Sequence, residues 1–189
     1  MIDLSKRPRA VSKLLLLGAA AIAIAATPAS AAPTQGTLGA TSTGAINISA
    51  SVPNRARISG LRDVSFASQD PTSAASDAQS VCVWSNTATK GYTITASGSG
   101  GSSAFTLSNG ASTVPYSVEW AATGGQTAGS ALTATTASST LTSGALNQVC
   151  SGTPASSASL VVKMTTTDLG TMTAGASYTG TLTLLVTPQ

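Results

Sequence analysis

Beyond residue 43, polar and apolar residues alternate in short segments, the period-two pattern of half-buried β-strands. In 45–52 (AINISASV), Ile46, Ile48, Ala50 and Val52 share one face and Asn47, Ser49 and Ser51 the other. Residues 79–85 (QSVCVWS) set Val81 and Val83 against Cys82 and Trp84, and 91–97 (GYTITAS) alternates Tyr92, Ile94 and Ala96 with threonines. Further strands are expected over 104–108, 113–120, 159–165 and 178–187; in the last, Leu182, Leu184 and Val186 align. Pro115 has no N–H to give a ladder, so its strand is expected at an edge or with a bulge. The Gly-, Ser- and Asn-rich pieces 97–103, 108–112 and 123–130 read as turns. In 121–158 Thr and Ser are spread too evenly to set a register, which predicts one or two weak strands and a long loop. No segment after residue 31 keeps an apolar stripe at helical spacing with caps. Roughly seven to nine short strands in about 150 residues predict an all-β sandwich.

The N-terminus follows a different pattern. A basic stretch leads into the apolar run 14–26 (LLLLGAAAIAIAA), Thr27-Pro28 breaks it, and Ala29-Ser30-Ala31 supplies small residues. These are the three parts of a secretory signal peptide, 1–31, with cleavage expected between Ala31 and Ala32. The run is well short of the roughly 20 residues that span a bilayer, so no stable membrane span is expected. Residues 32–43 (APTQGTLGATST) are small and uncharged, a flexible arm. The arm leads into a β-sandwich domain over 44–189, in which 44–52 is either a first strand or a segment offered to another molecule.

Charge changes meaning once it is located. The chain has nine Lys+Arg against six Asp+Glu and a formal net charge of +3. Four of the bases, Lys6, Arg7, Arg9 and Lys13, lie in the expected leader with Asp3, and the rest of the chain balances. A nucleic-acid partner would need a broad basic surface, so none is expected. Beyond the leader, Arg55, Arg57 and Arg62 form the only basic cluster; Arg55 and Arg57 share one side of an extended segment and read as a solvated strand face.

Candidate chemistry is sparse. The absence of histidine excludes Ser-His-Asp and Cys-His catalysis and any histidine-bearing zinc site. Asp63, Asp70 and Asp77 recur every seven residues across turn-like sequence and define no shared face. No catalytic residue, metal or cofactor is expected, and the chain reads as a non-enzyme. Cys82 and Cys150, the only cysteines, are expected to form a disulfide in an oxidising compartment.

The arm and strand 44–52 (GAINISASV), then 61–66 (LRDVSF), 80–84 (SVCVW), 91–96 (GYTITA) and 177–187 (SYTGTLTLLVT) follow one another in a recognisable order. In that order the chain resembles subunits of the chaperone–usher pilus class, closest to spore coat U-type and archaic pilin-like domains. The resemblance implies an immunoglobulin-like sandwich that lacks one strand and is completed by strand donation from the next subunit. Carried to this chain, Ile46, Ile48, Ala50 and Val52 become the donor side chains, with Leu38 extending the contact. It further implies self-association into a cell-surface fibre with adhesive roles. A periplasmic chaperone and an outer-membrane usher would be partners in transit. The alternative expectation is a monomeric secreted or periplasmic β-sandwich that binds carbohydrate or protein. Two features depart from the family pattern: 54–59 carries no cysteine, and 186–189 no aromatic residue.

Overall fold

The structure is a computed structural model that describes residues 32–189. The expected leader and Ala31 lie outside the described residues; Ala32 is the first described and is exposed. The chain divides after Ser51 into two units. In the first, Thr34 and Ala45 exchange both main-chain hydrogen bonds at 2.9 Å, and the residues between them turn back in a loose hairpin. Residues 46–51 form no strand, although theirs is the cleanest alternation in the chain. Alternation fixes which side chains share a face, but a strand also needs a neighbour to take its N–H and C=O groups.

The second unit, Val52–Gln189, is an antiparallel β-sandwich. In chain order its elements are β1 (Ala56–Ser59), β2 (Ala75–Ser85), β3 (Gly91–Gly98), β4 (Thr106–Ser108), β5 (Thr113–Pro115) and β6 (Ser117–Ala121). There follow β7 (Ser130–Ala131), β8 (Leu141–Thr142), β9 (Ala158–Met164), the short helix α1 (Thr166–Gly170) and β10 (Leu182–Pro188). One sheet has the order β1-β2-β9-β6-β7, the second β10-β3-β8, and β4-β5 is a separate hairpin. The order β1-β2-β9-β6 against β3-β10 matches the ABED and CF strands of an immunoglobulin sandwich in both chain order and position. The place of the seventh strand, G, lies beyond β10 and is empty among the described residues.

The expected in/out pattern places the core. Val81 and Val83 of β2 and Tyr92, Ile94 and Ala96 of β3 are at most 1% exposed. Val118 and Trp120 of β6 and Leu160 and Met164 of β9 belong to the same core, on the sheet of β2 and across from β3. Each such large side chain contributes about 1.5–3 kcal/mol when removed from water. Trp120 Nε1–H donates to the Tyr92 hydroxyl at 3.2 Å, satisfying the polar atoms of two buried aromatics.

Two local outcomes differ from the simple alternation, and a third, the weakness of 121–158, is as expected. The strand expected over 113–120 is split at Tyr116: β5 pairs with β4, while β6 pairs with β9. The Tyr116 N–H donates to Phe105 O at 2.9 Å, one last bond in the β4–β5 register, and the chain passes to β9 only after it, just beyond Pro115. Helix α1 is unexpected, yet its start is written locally: Thr165 accepts from the Asp168 N–H, and the Asp168 carboxylate accepts from the Thr165 N–H, a capping box. The section 121–158 holds only the two-residue strands β7 and β8.

Cys82 points to the outer face of β2 and is bonded to Cys150, with Cα atoms 5.8 Å apart. The bridge closes a separation of 68 residues. It ties the loop after β8 to β2, where Ala145 and Trp84 pack around it. Constraining an unfolded loop of this length is worth about 4 kcal/mol. Replacing both cysteines by serine should therefore lower the unfolding free energy by about 4 kcal/mol, measured by urea unfolding with the midpoint and the slope both fitted, since the unlinked unfolded chain is more expanded and steepens the slope.

Candidate functional site

After β1 the chain leaves β2. Gly60, at φ +81°, makes the departure in a backbone region that favours glycine. The β1–β2 register pairs Ser59 with Cys82, and continuing it would put Arg62 opposite Gln79. There the side chain of Gln79 takes the place of its backbone. Arg62 N–H donates to Gln79 Oε1 at 2.8 Å, and Gln79 Nε2 donates to Arg62 O at 3.2 Å. The carboxamide is 5% exposed and points to the same side of β2 as Val81 and Val83. The Arg62 guanidinium meets both Asp77 carboxylate oxygens at 2.9 Å and reaches Ala78 O at 3.3 Å. Segment 61–66 is thereby held off β2, toward the second sheet.

Between this segment and β10 lies an open groove of about 1310 Å³. Leu61, Val64 and Phe66 line one wall, and Leu182, Leu184 and Tyr178 the other. Its floor is the core itself, Leu160, Val162 and Met164 of β9, with Leu169 of α1 also lining it. The inward side chains of β10, Leu182, Leu184 and Val186, are only half-buried, whereas their counterparts on β3 are fully covered. Both walls also carry unpaired main chain. β10 pairs with β3 on one edge and with no strand on the other, and Val64, Ser65 and Phe66 make no main-chain hydrogen bond among the described residues. The Tyr178 hydroxyl accepts from the Thr173 N–H at 3.1 Å and bonds Ser112 Oγ at 3.0 Å, which fixes the loop entering β10. Those bonds, Ser112 first, hold its pKa below the usual tyrosine value.

None of the residues expected to act as donors lies in a strand. Ile46, Ile48 and Ala50 belong to the first unit and Val52 opens the second. Ile46, Ile48 and Val52 are 73%, 87% and 77% exposed, Ala50 is exposed, and Leu38 is fully so. Cys82 and Cys150 are brought together as expected. Arg57 is exposed in β1 opposite Trp84, and Arg62 turns from the basic cluster into an ion pair. Among the described residues no group of three or more His, Cys, Asp or Glu side chains could hold a metal ion. Asp168 is spent on capping α1, and Asp70 binds the Thr72 N–H and hydroxyl.

Gln79 and the departing segment were not legible as a site in the sequence. The available signal is a polar residue in phase with Val81 and Val83, an inward position that alternation reserves for apolar side chains.

A comparison with protein-family models finds no match to this chain. A comparison with curated proteins finds none either. The functional reading therefore rests on the groove and on the arm sequence.

On the outer face of the large sheet, Lys163 Nζ contacts both carboxylate oxygens of Glu119 at 2.7 Å, and the Gly129 N–H donates to Glu119 at 3.0 Å. The Lys163 hydrogen bond, then that from Gly129, lowers the Glu119 pKa below the ordinary glutamate value. A carboxylate whose pKa is lower in the folded state stabilises the fold above its unfolded pKa and loses that contribution as pH falls through the folded one. Stability should thus decline as pH drops below the ordinary carboxylate range. Lys163→Met should make that decline shallower, as read from thermal midpoints across an acid series.

Proposed function

We propose that the chain is a structural subunit of a surface fibre, each copy completing the sandwich of the next with its N-terminal arm. The observation that carries this reading is the vacant strand position beside β10: an apolar floor between two walls of unpaired main chain. An inserted strand would take hydrogen bonds from the β10 edge while every second side chain entered the groove. Ile46, Ile48, Ala50 and Val52 have that spacing, and a nine-residue extended segment reaches about 30 Å. Their exposure in the single chain matches a segment whose partner is another molecule.

In this reading the protein is exported, passes through the periplasm and ends at the cell surface. The groove is also where a periplasmic chaperone would hold the subunit before an outer-membrane usher passes it on. The few charges and many Thr and Ser side chains give the fibre a neutral surface whose cohesion comes from strand pairing and burial.

Ile48→Asp should abolish assembly without altering the isolated fold, because the side chain is exposed there. Oligomer ladders by size-exclusion chromatography should disappear while near-UV circular dichroism is unchanged. A synthetic peptide of residues 44–52 should bind the Ile48→Asp protein and raise its thermal midpoint, and a version with Ile46, Ile48 and Val52 changed to serine should not. Undiminished assembly of Ile48→Asp, or indifference to the peptide, would rule out strand donation by this segment.

A further inference from the structure

We propose that Gln79 is a positioning residue that keeps the groove open by replacing one strand pairing with a side-chain pairing. The inference rests on the strand-accepting reading and adds to it the device that prepares the acceptor. β1 and β2 are in register from Ala56–Ser85 to Ser59–Cys82, and the same register continued would zip 61–66 onto the lower half of β2. That edge of β2 is open, since β9 occupies only the other one. Zipping would satisfy main-chain groups that are now unpaired, so something must oppose it.

The carboxamide of Gln79 does so by chemical mimicry. Its NH2 and C=O supply an N–H donor and a carbonyl acceptor, the two groups that a facing peptide would offer, and Arg62 uses both. Because they sit at the end of a side chain rather than on the backbone, the departing segment is held at a side chain's distance from β2. The Arg62–Asp77 pair braces the same point from the solvent side. The two bonds are made at Arg62 alone, which leaves the main chain of 64–66 free to pair with an incoming strand. Glutamine has the right reach; asparagine is one methylene shorter, and methionine has similar length without the hydrogen bonds.

The test is made in the full-length, non-assembling Ile48→Asp chain, so that no neighbour's arm fills the groove. It compares that parent, wild type at position 79, with the same chain carrying Gln79→Met or Gln79→Asn, using the fluorescently labelled 44–52 peptide as probe. Both variants should bind it at least tenfold more weakly, with the disulfide formed and the near-UV spectrum of Trp120 unchanged. In hydrogen exchange the Arg62 amide should be protected in the parent and lose protection in Gln79→Met, while the Ile94 amide stays protected in both. If the parent binds the peptide and Gln79→Met binds it equally well, the role of Gln79 is refuted and strand acceptance survives. If the parent fails to bind, the strand-accepting reading falls, and the exchange of Arg62 still decides whether Gln79 holds the segment. Should the variants not fold, the parent alone is decisive. A protected Arg62 amide beside rapidly exchanging 64–66 amides, which slow when peptide is added, supports the role. An Arg62 amide that exchanges as fast as its neighbours overturns it.

Discussion

β2 is the longest strand, and the obligation to pair its main chain organises the second unit. Its two halves are served differently. On one edge β9 pairs with Ala75 through Val81; on the other β1 pairs with Cys82 through Ser85. Each half consequently has one edge without a strand, and side chains stand in. Beside the upper half, the Ser157 hydroxyl accepts from the Val83 N–H at 2.8 Å and donates to Val83 O at 2.7 Å. Ser143 donates to the same carbonyl. Beside the lower half, Gln79 and Arg62 hold the departing chain. Buried main-chain groups left without partners cost roughly 1–3 kcal/mol each, so these few polar side chains decide where strands end.

The two substitutions have opposite consequences. At Val83, hydroxyls close a buried gap, and the disulfide clamps the loop carrying Ser143 and Ala145 over it. At Gln79, the carboxamide keeps a gap open beside the core residues of β9. One end of the sandwich is sealed and covalently stapled; the other presents an unfilled strand position. In the function proposed above, that asymmetry would serve a subunit joined head to tail, with the apolar alternation of 46–52 as the inserted segment.

Much of this was legible in the sequence because it is local or counted. Period-two alternation grouped the side chains that share a face in β2, β3 and β10 and placed a strand over β9, and two cysteines in an otherwise cysteine-free chain implied the bridge. Pro115 announced a disturbance in its strand. β1 was legible only in part: Arg55 and Arg57 read as the solvated side of an extended segment, but its four residues, ARIS, are too few to set the bounds of a strand. The T-x-x-D box of α1 was present but too short a signal among many threonines. Gln79 looked like an ordinary polar residue at the start of a strand.

By itself, then, the sequence determined which side chains share a face, where the chain turns, which cysteines are joined and that the N-terminus is built like an export leader. Only the tertiary structure decided which of those faces obtain a partner. Residues 45–52 and 91–97 alternate equally well, yet 91–97 lies in a buried strand between two neighbours and 46–51 in none. The difference is physical: side-chain periodicity is a property of a short segment, whereas a strand exists only where distant main chain accepts its hydrogen bonds.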